Sequence, residues 1–253
     1  MSLTYFWINV AIILGPLCLT PFHRLAYYRN FRALGIAIIV VGGLYIGWDM
    51  AVTARGEWSF NPRYVSGVKI SSLPVEEILF FVTVPYACLF IYEAILATSH
   101  KVEFRVPLGV VVATIAMLAT GSIFYFGQGY TSKALASCAL FLIVALRIDR
   151  PLLESRQYWL WLAICLVPFL IVNIILTALP VVQYNPSAIW GARFITIPLE
   201  DFFYNYSLLS FYLLVYRLAG RKTDAPSGRG ISQPHTGDRR ASPRNHHESR
   251  ALN

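Results

Sequence analysis

The chain has 253 residues, of which 57% are hydrophobic and only 13% charged, with a formal net charge of +8. A soluble domain needs about a quarter of its residues charged to cover its surface. This composition, with a mean hydropathy of +0.56, excludes an ordinary water-soluble globule and points to a bilayer.

Crossing a hydrocarbon core of ~30 Å takes about 17–25 apolar residues in a helix. Apolar runs predict seven spans, at 3–19, 33–52, 75–97, 106–125, 134–146, 158–179 and 199–218. The fifth run is short and is expected to begin nearer Tyr130, with Thr131, Ser132 and Lys133 at the interface. The first lacks a basic leader, and Pro21, Phe22 and His23 follow it in place of a small-residue cleavage site, so it is expected to stay as a helix. Arg24, Arg29 and Arg32, then Lys101 and Arg105, then Arg147, Arg150 and Arg156, then Arg217, Arg221 and Lys222 mark alternate loops and the tail. The opposite loops carry the thinner set Arg55, Arg63, Lys69, Lys133 and Arg193. By the positive-inside rule the N-terminus is expected outside and the C-terminus inside.

A repeat runs through this pattern. At the offset that carries Pro74 onto Pro198, Asn61 and Pro62 fall on Asn185 and Pro186, Gly67 on Gly191, and Lys69 on Arg193. Glu76 falls on Glu200, Glu77 on Asp201 and Phe80 on Tyr204. Prolines, glycine, asparagine and acids kept in one order are a duplicated unit. Each unit holds three spans, so two copies joined directly would face opposite ways, and the extra span at 106–125 restores a common direction. The expected fold is an all-α integral membrane protein of seven transmembrane helices. Two parallel-oriented three-helix repeats, 1–98 and 130–220, are joined by a linker helix within 99–129 and related by a pseudo-two-fold axis along the membrane normal.

The stretch 221–253 is rich in Pro, Gly, Ser, His and Arg and has no aromatic residue. It is expected to be a disordered, basic cytoplasmic tail suited to an anionic leaflet. Without interleaved aromatics it does not read as a nucleic-acid binder, and His246 with His247 is too little for a metal site. Cys18, Cys88, Cys138 and Cys165 stand singly in apolar spans and read as small buried hydrophobes. Gly43 and Gly47 form a GxxxG suited to close helix approach. The chain has no dinucleotide fingerprint, Walker loop, HExxH or aspartate-rich diphosphate cluster, so no cofactor is identifiable. The last span holds no lysine for a retinal Schiff base.

What remains is acids and rings. Glu76, Glu77, Glu200 and Asp201 are expected in the first turns of two helices, just after prolines suited to a helix start. One such pair reads equally well as favourable charge at a helix N-terminus. Ionisable groups on membrane helices are costly and usually functional, and two pairs in register favour chemistry. Phe80 and Tyr204 lie four residues after Glu76 and Glu200, on the same helical face. Trp48, Trp58, Tyr64, Trp190, Phe202 and Phe203 add rings near the same interface. Some of them fit an aromatic belt, and rings beside an acid also suit a carbocation, which a π face stabilises by roughly 0.5–2 kcal/mol.

The paired PxE(E/D) motif, the upstream Asn-Pro, the rings after the acids and the three-span unit resemble the lycopene cyclase domain proteins, in their fused single-chain form, over about residues 3–218. The second copy departs in having Asp201 for Glu77, and Val172 and Asn173 for Trp48 and Asp49. The resemblance implies a lycopene β-cyclase of carotenoid biosynthesis. In such an isomerase a carboxylic acid protonates the terminal double bond of a linear carotene, the internal double bond closes the ring, and a base removes a proton, without net redox. It also implies a multi-pass protein of the cell membrane, a hydrophobic carotenoid substrate within the bilayer, contact with membrane lipids and with other carotenoid-pathway enzymes, and no nucleic-acid partner. Glu76 and Glu200 are expected to do the acid and base work, with Glu77 and Asp201 tuning them. Phe80, Tyr204, Phe203, Trp48, Trp58, Trp190, Asn61, Asn185 and Asp49 are expected at the substrate, although Asp49 also reads as an interface residue paired with Lys69, and both asparagines as turn formers. The alternatives are a cyclase making ε- or γ-rings, a small proton-coupled carrier, and a scaffold subunit of a carotenoid-synthesising complex.

Overall fold

The computed structural model describes residues 2–20, 27–100 and 102–223. Each apolar run forms a helix: α1 Thr4–Leu19, α2 Phe31–Ala54, α3 Val75–Thr98, α4 Leu108–Phe124, α5 Gly129–Ile148, α6 Arg156–Ala178 and α7 Leu199–Thr223. By length and composition α2, α3, α5 and α6 can cross a membrane, while α1 and α4 are apolar but shorter. Large apolar side chains such as Ile39, Leu44 and Met117 point outward, where lipid suits them better than water. α7 is long but less apolar because it is central. Its Ser207, Ser210 and Tyr212 are buried and bonded to Tyr45, Tyr158 and the Phe81 carbonyl, as polar groups away from water require.

Several sequence expectations shift. α5 begins at Gly129, beside the Tyr130 start expected for it, but runs on to Ile148 rather than 146. α7 carries residues 221–223, expected in the tail, as helix. The rest of the tail, with His246 and His247, and the loop cations Arg24 and Lys101 fall outside the described residues. The Gly43/Gly47 motif mediates no close approach, since a Cβ on either would meet nothing within 4 Å. The glycine that matters is Gly42, where a Cβ would lie 2.7 Å from the Tyr212 hydroxyl. It ends a π-helical turn, Ile38–Gly42, inside α2, a distortion that rotates the helix's faces against one another.

The helices are not the whole fold. Six short strands, β1 Trp58–Phe60, β2 Lys69–Ile70, β3 Leu73–Pro74, β4 Val182–Tyr184, β5 Arg193–Phe194 and β6 Ile197–Pro198, make three antiparallel pairs. Hairpins β2–β3 and β5–β6 occupy equivalent places in the two repeats, with the same register: Lys69 opposite Pro74, and Arg193 opposite Pro198. β1 and β4 pair across the repeats, with Trp58 opposite Tyr184, Ser59 opposite Gln183 and Phe60 opposite Val182. Because Ser59 and Gln183 are equivalent positions, this ladder is symmetric about its own centre. The neighbouring bonds obey the same rule: the Asn61 amide donates to the Val181 carbonyl and the Asn185 amide to the Glu57 carbonyl, each at 2.9 Å.

The helices interleave accordingly. α1 packs on α3 as α5 packs on α7. α2 crosses to pack on α7 of the other repeat, and α6 crosses to pack on α3. The linker helix α4 lies against α5, so α5 is covered on a side where α1 is bare.

Candidate active site

Two matching hairpins aim the acids. Each needs left-handed backbone at two positions, Gly67 and Ser71 in the first copy (φ 85° and 57°) and Gly191 and Ile195 in the second (φ 91° and 59°). Glycine takes this conformation freely. Ser71 and Ile195 adopt it at the cost a side chain carries there, the greater for a β-branched isoleucine. Pro74 is the N-cap of α3 in extended conformation, one position earlier than the first helical turn expected for it, and the acids follow at once.

The two acids of each pair point to different places, as the ~100° between successive helical residues dictates. Glu76 is 1% exposed, and its Oε1 accepts the Ser66 amide at 2.6 Å. Glu200, also 1% exposed, accepts the equivalent Trp190 amide at 2.5 Å and the Thr131 hydroxyl at 2.6 Å. These carboxyls tie each hairpin loop to the helix that follows it. In both, Oε2 is buried without a partner among the described atoms.

Glu77 and Asp201 instead face one cavity of about 510 Å³, and Asp49 of α2 joins them there. Asp49 accepts the Trp58 indole N–H at 2.7 Å and the Thr53 hydroxyl at 3.2 Å, and lines the same cavity as the Glu77 carboxyl. The Tyr5 hydroxyl donates to Glu77 Oε2 at 2.6 Å. Asp201 accepts two phenols, Tyr130 on Oδ1 and Tyr184 on Oδ2, each at 2.7 Å. Burial, and then the Asp201 carboxyl, push the Tyr184 phenol well above its usual range, so it stays a donor. The two phenols hold both carboxyl oxygens of Asp201 in place.

Away from the acids the cavity is apolar. On α3 its wall runs through Phe80, Val84, Ala87, Cys88 and Ile91, one face at helical spacing. From Glu77 to Ile91 that face extends about 21 Å at the helical rise.

The predicted site residues divide clearly. Glu77, Asp201, Asp49, Phe80, Tyr204 and Trp58 line the cavity. Glu76 and Glu200 do not, and neither do Phe203, Trp48, Trp190, Asn61 or Asn185. Trp190 is 49% exposed and packs on Tyr125. Trp48 packs against Tyr45 and Tyr204 with ring centroids 5.3 and 5.1 Å away. Phe203 packs with the core clusters. Asn61 and Asn185 shape their turns, accepting the amides of Arg63 and Ser187 at 3.0 Å. Asp49 is bonded to Trp58 and beside Glu77, so the pairing with Lys69 is replaced by a buried one. Sequence reasoning missed Tyr5, Tyr130 and Tyr184. Tyr5 and Tyr130 are equivalent, their amides donating to the equivalent carbonyls of Tyr64 and Ala188, but they stand one residue off the offset that aligns the motifs, and a gapless overlay passes them by.

A bundle of apolar helices thus encloses a largely apolar cavity that ends in three carboxyls. The sequence pattern of the family described as lycopene cyclase matches residues 2–95 and 127–219, the two repeats, and the chain belongs to that family. It is thus a carotenoid cyclase acting on a hydrophobic substrate in a membrane. Neither a curated protein sequence nor a solved structure matches the chain.

Proposed function

We propose that the protein is a lycopene β-cyclase, a redox-neutral isomerase with one composite site fed by both repeats. The observation that carries this reading is the convergence of Asp49, Glu77 and Asp201 on a single apolar cavity bordered by Trp58, Phe80 and Tyr204. The Asp49–Glu77 pair delivers its proton to the terminal double bond of a ψ end group, leaving a tertiary cation. The neighbouring double bond supplies its electrons to that cation and closes the six-membered ring. Asp201, with both oxygens held by phenols, takes up a proton from the carbon beside the new cation, and the electron pair of that broken C–H bond becomes the ring double bond. Proton gained and proton lost balance, so the product is an isomer of the substrate. The rings stabilise each cation by roughly 0.5–2 kcal/mol without reacting with it. Removal from the carbon that gives the conjugated β-ring, rather than an ε- or γ-ring, is part of this proposal.

The catalytic division is thus the reverse of the one expected from sequence. Glu77 and Asp201 act on substrate, and Glu76 and Glu200 hold the loops that aim them. The remaining architecture is proposed with it: seven spans in the cell membrane, the N-terminus outside, the C-terminus inside, and repeats 1–98 and 130–220 about the linker helix. With both repeats parallel, all the carboxyls sit at one depth, unlike the inverted repeats and midplane sites of carriers. Expression in cells that accumulate lycopene, followed by pigment chromatography, tests the reaction. β-Carotene, with monocyclic γ-carotene preceding it, is the expected product, and unchanged lycopene would refute the reading.

A further inference from the structure

The cavity has one chemical end, and its exposed described lining lies on two helices. Asp49, Glu77 and Asp201 cluster where α3 and α7 begin, and the wall then runs apolar along α3 to Ile91. Of the residues lining it, the exposed ones, Ala11, Pro168, Ile171 and Ile175, belong to α1 and α6. These two helices flank α3 from opposite repeats, and their outward faces are apolar, so the opening between them gives onto lipid rather than water. The symmetry-related space beside α2 and α5 is filled. There Tyr45, Trp48 and Tyr204 stand where the cavity side has Phe169, Val172 and Phe80, and their rings interlock at centroid distances of 5.1–5.4 Å.

Building on the cyclase reading, we infer that this site is a one-ended lateral slot: a linear polyene enters from the bilayer between α1 and α6, and only one of its ends reaches the carboxyls in each binding event. An extended linear carotene is about as long as the ~30 Å hydrocarbon core, whereas the wall from Glu77 to Ile91 covers about 21 Å. All three lining carboxyls lie at the same end of that wall, and among the described residues that line the cavity no second set awaits the far end of the substrate. Closing a second ring therefore requires the monocyclic product to leave, reverse and re-enter with its open end first.

The test uses the full-length protein in lipid vesicles loaded with isotopically labelled lycopene. Once cyclisation has begun, an excess of unlabelled monocyclic carotene is added and the label is followed by chromatography. The slot predicts that label halts in the monocyclic pool, with labelled bicyclic product falling in proportion to the dilution; a protein that stops at one ring obeys the same rule. Label that passes undiluted into bicyclic product overturns the inference while leaving the cyclase reading intact, and failure to form any ring refutes that reading instead. A paired variant tests the mouth. Ile171 and Val167 are 57% and 59% exposed on α6, but only Ile171 lines the cavity. Ile171→Trp is expected to slow both ring closures by the same factor, about tenfold or more, as a bulky ring blocks entry, whereas Val167→Trp leaves them unchanged. Should Ile171→Trp fail to accumulate, Ile175→Trp serves in its place. Equal rates for the cavity-lining variant and the Val167→Trp control would place the entrance elsewhere.

Discussion

The two repeats share a backbone and differ in chemistry. Their hairpins have the same register, their turn residues the same left-handed φ, and their first acids accept the equivalent loop amide. At the cavity they part. The first copy brings Asp49, Glu77 and Tyr5, and the second brings Asn173, Asp201, Tyr130 and Tyr184, with Phe60 where the second has Tyr184. Asp49 gives the first copy a second carboxyl at the cavity; its counterpart Asn173 has only an amide, spent on the Phe169 carbonyl of its own helix. Tyr184 gives the second copy a second phenol. Duplication therefore supplied two matching frames, and a few side-chain changes set them apart at the cavity.

The largest effects should come from removing one partner of that contrast. Glu77→Gln is expected to lower ring formation by about 10²–10⁴-fold, the usual share of general acid–base catalysis, with lycopene recovered unreacted. Asp201→Asn should cost as much but differently, because the cation still forms: hydrated or differently unsaturated rings should appear among the residual products on chromatography. Identical product profiles for the two variants would erase the division of roles. Next in size, Tyr184→Phe restores the first copy's Phe60 in the second and removes one phenol from Asp201. A lost hydrogen bond to a charged group costs about 1.5–3 kcal/mol, so turnover should fall by about 10- to 100-fold in steady-state assays.

The acids that the repeats hold in common should respond in stability rather than chemistry. Glu200→Gln and Glu76→Gln are expected to retain most turnover per folded molecule while losing about 1–3 kcal/mol of stability, read by thermal unfolding in detergent. The loss should be larger for Glu200, which also holds Thr131. A fall in turnover comparable to that of Glu77→Gln would return the catalytic role to Glu76. Smallest is a packing difference between the halves: Gly42 lets α2 approach Tyr212 of α7, where α6 has Leu166 at the equivalent place. Gly42→Ala should destabilise by about 1–3 kcal/mol, and Gly43→Ala, which meets open space, should not.

Much of this was legible in the chain because the signals are local. Apolar runs of sufficient length marked each helix, and the recurrence of Asn-Pro, Gly and Pro before the acids marked the duplicated hairpin. The ends were less legible. Gly129 to Ala134 extends α5 beyond its apolar run because Tyr130 and Thr131 meet Asp201 and Glu200 inside the protein, where polarity says nothing about the membrane edge. The two-residue strands were not legible, since they exist only through pairing.

The sequence by itself determined that this is an apolar helical protein with two copies of an acid-bearing unit, because hydropathy and repetition are properties of neighbours along the chain. Which acid of each pair faces the cavity depended on the hairpin that claims Glu76 and Glu200, and so turned Glu77 and Asp201 inward. That Asp49 joins Glu77, that three tyrosines hold the carboxyls, and that two acid sites become one were likewise decided by the crossing of α2 and α6 between repeats. Contacts of that kind join residues far apart in the chain, and no local pattern encodes them.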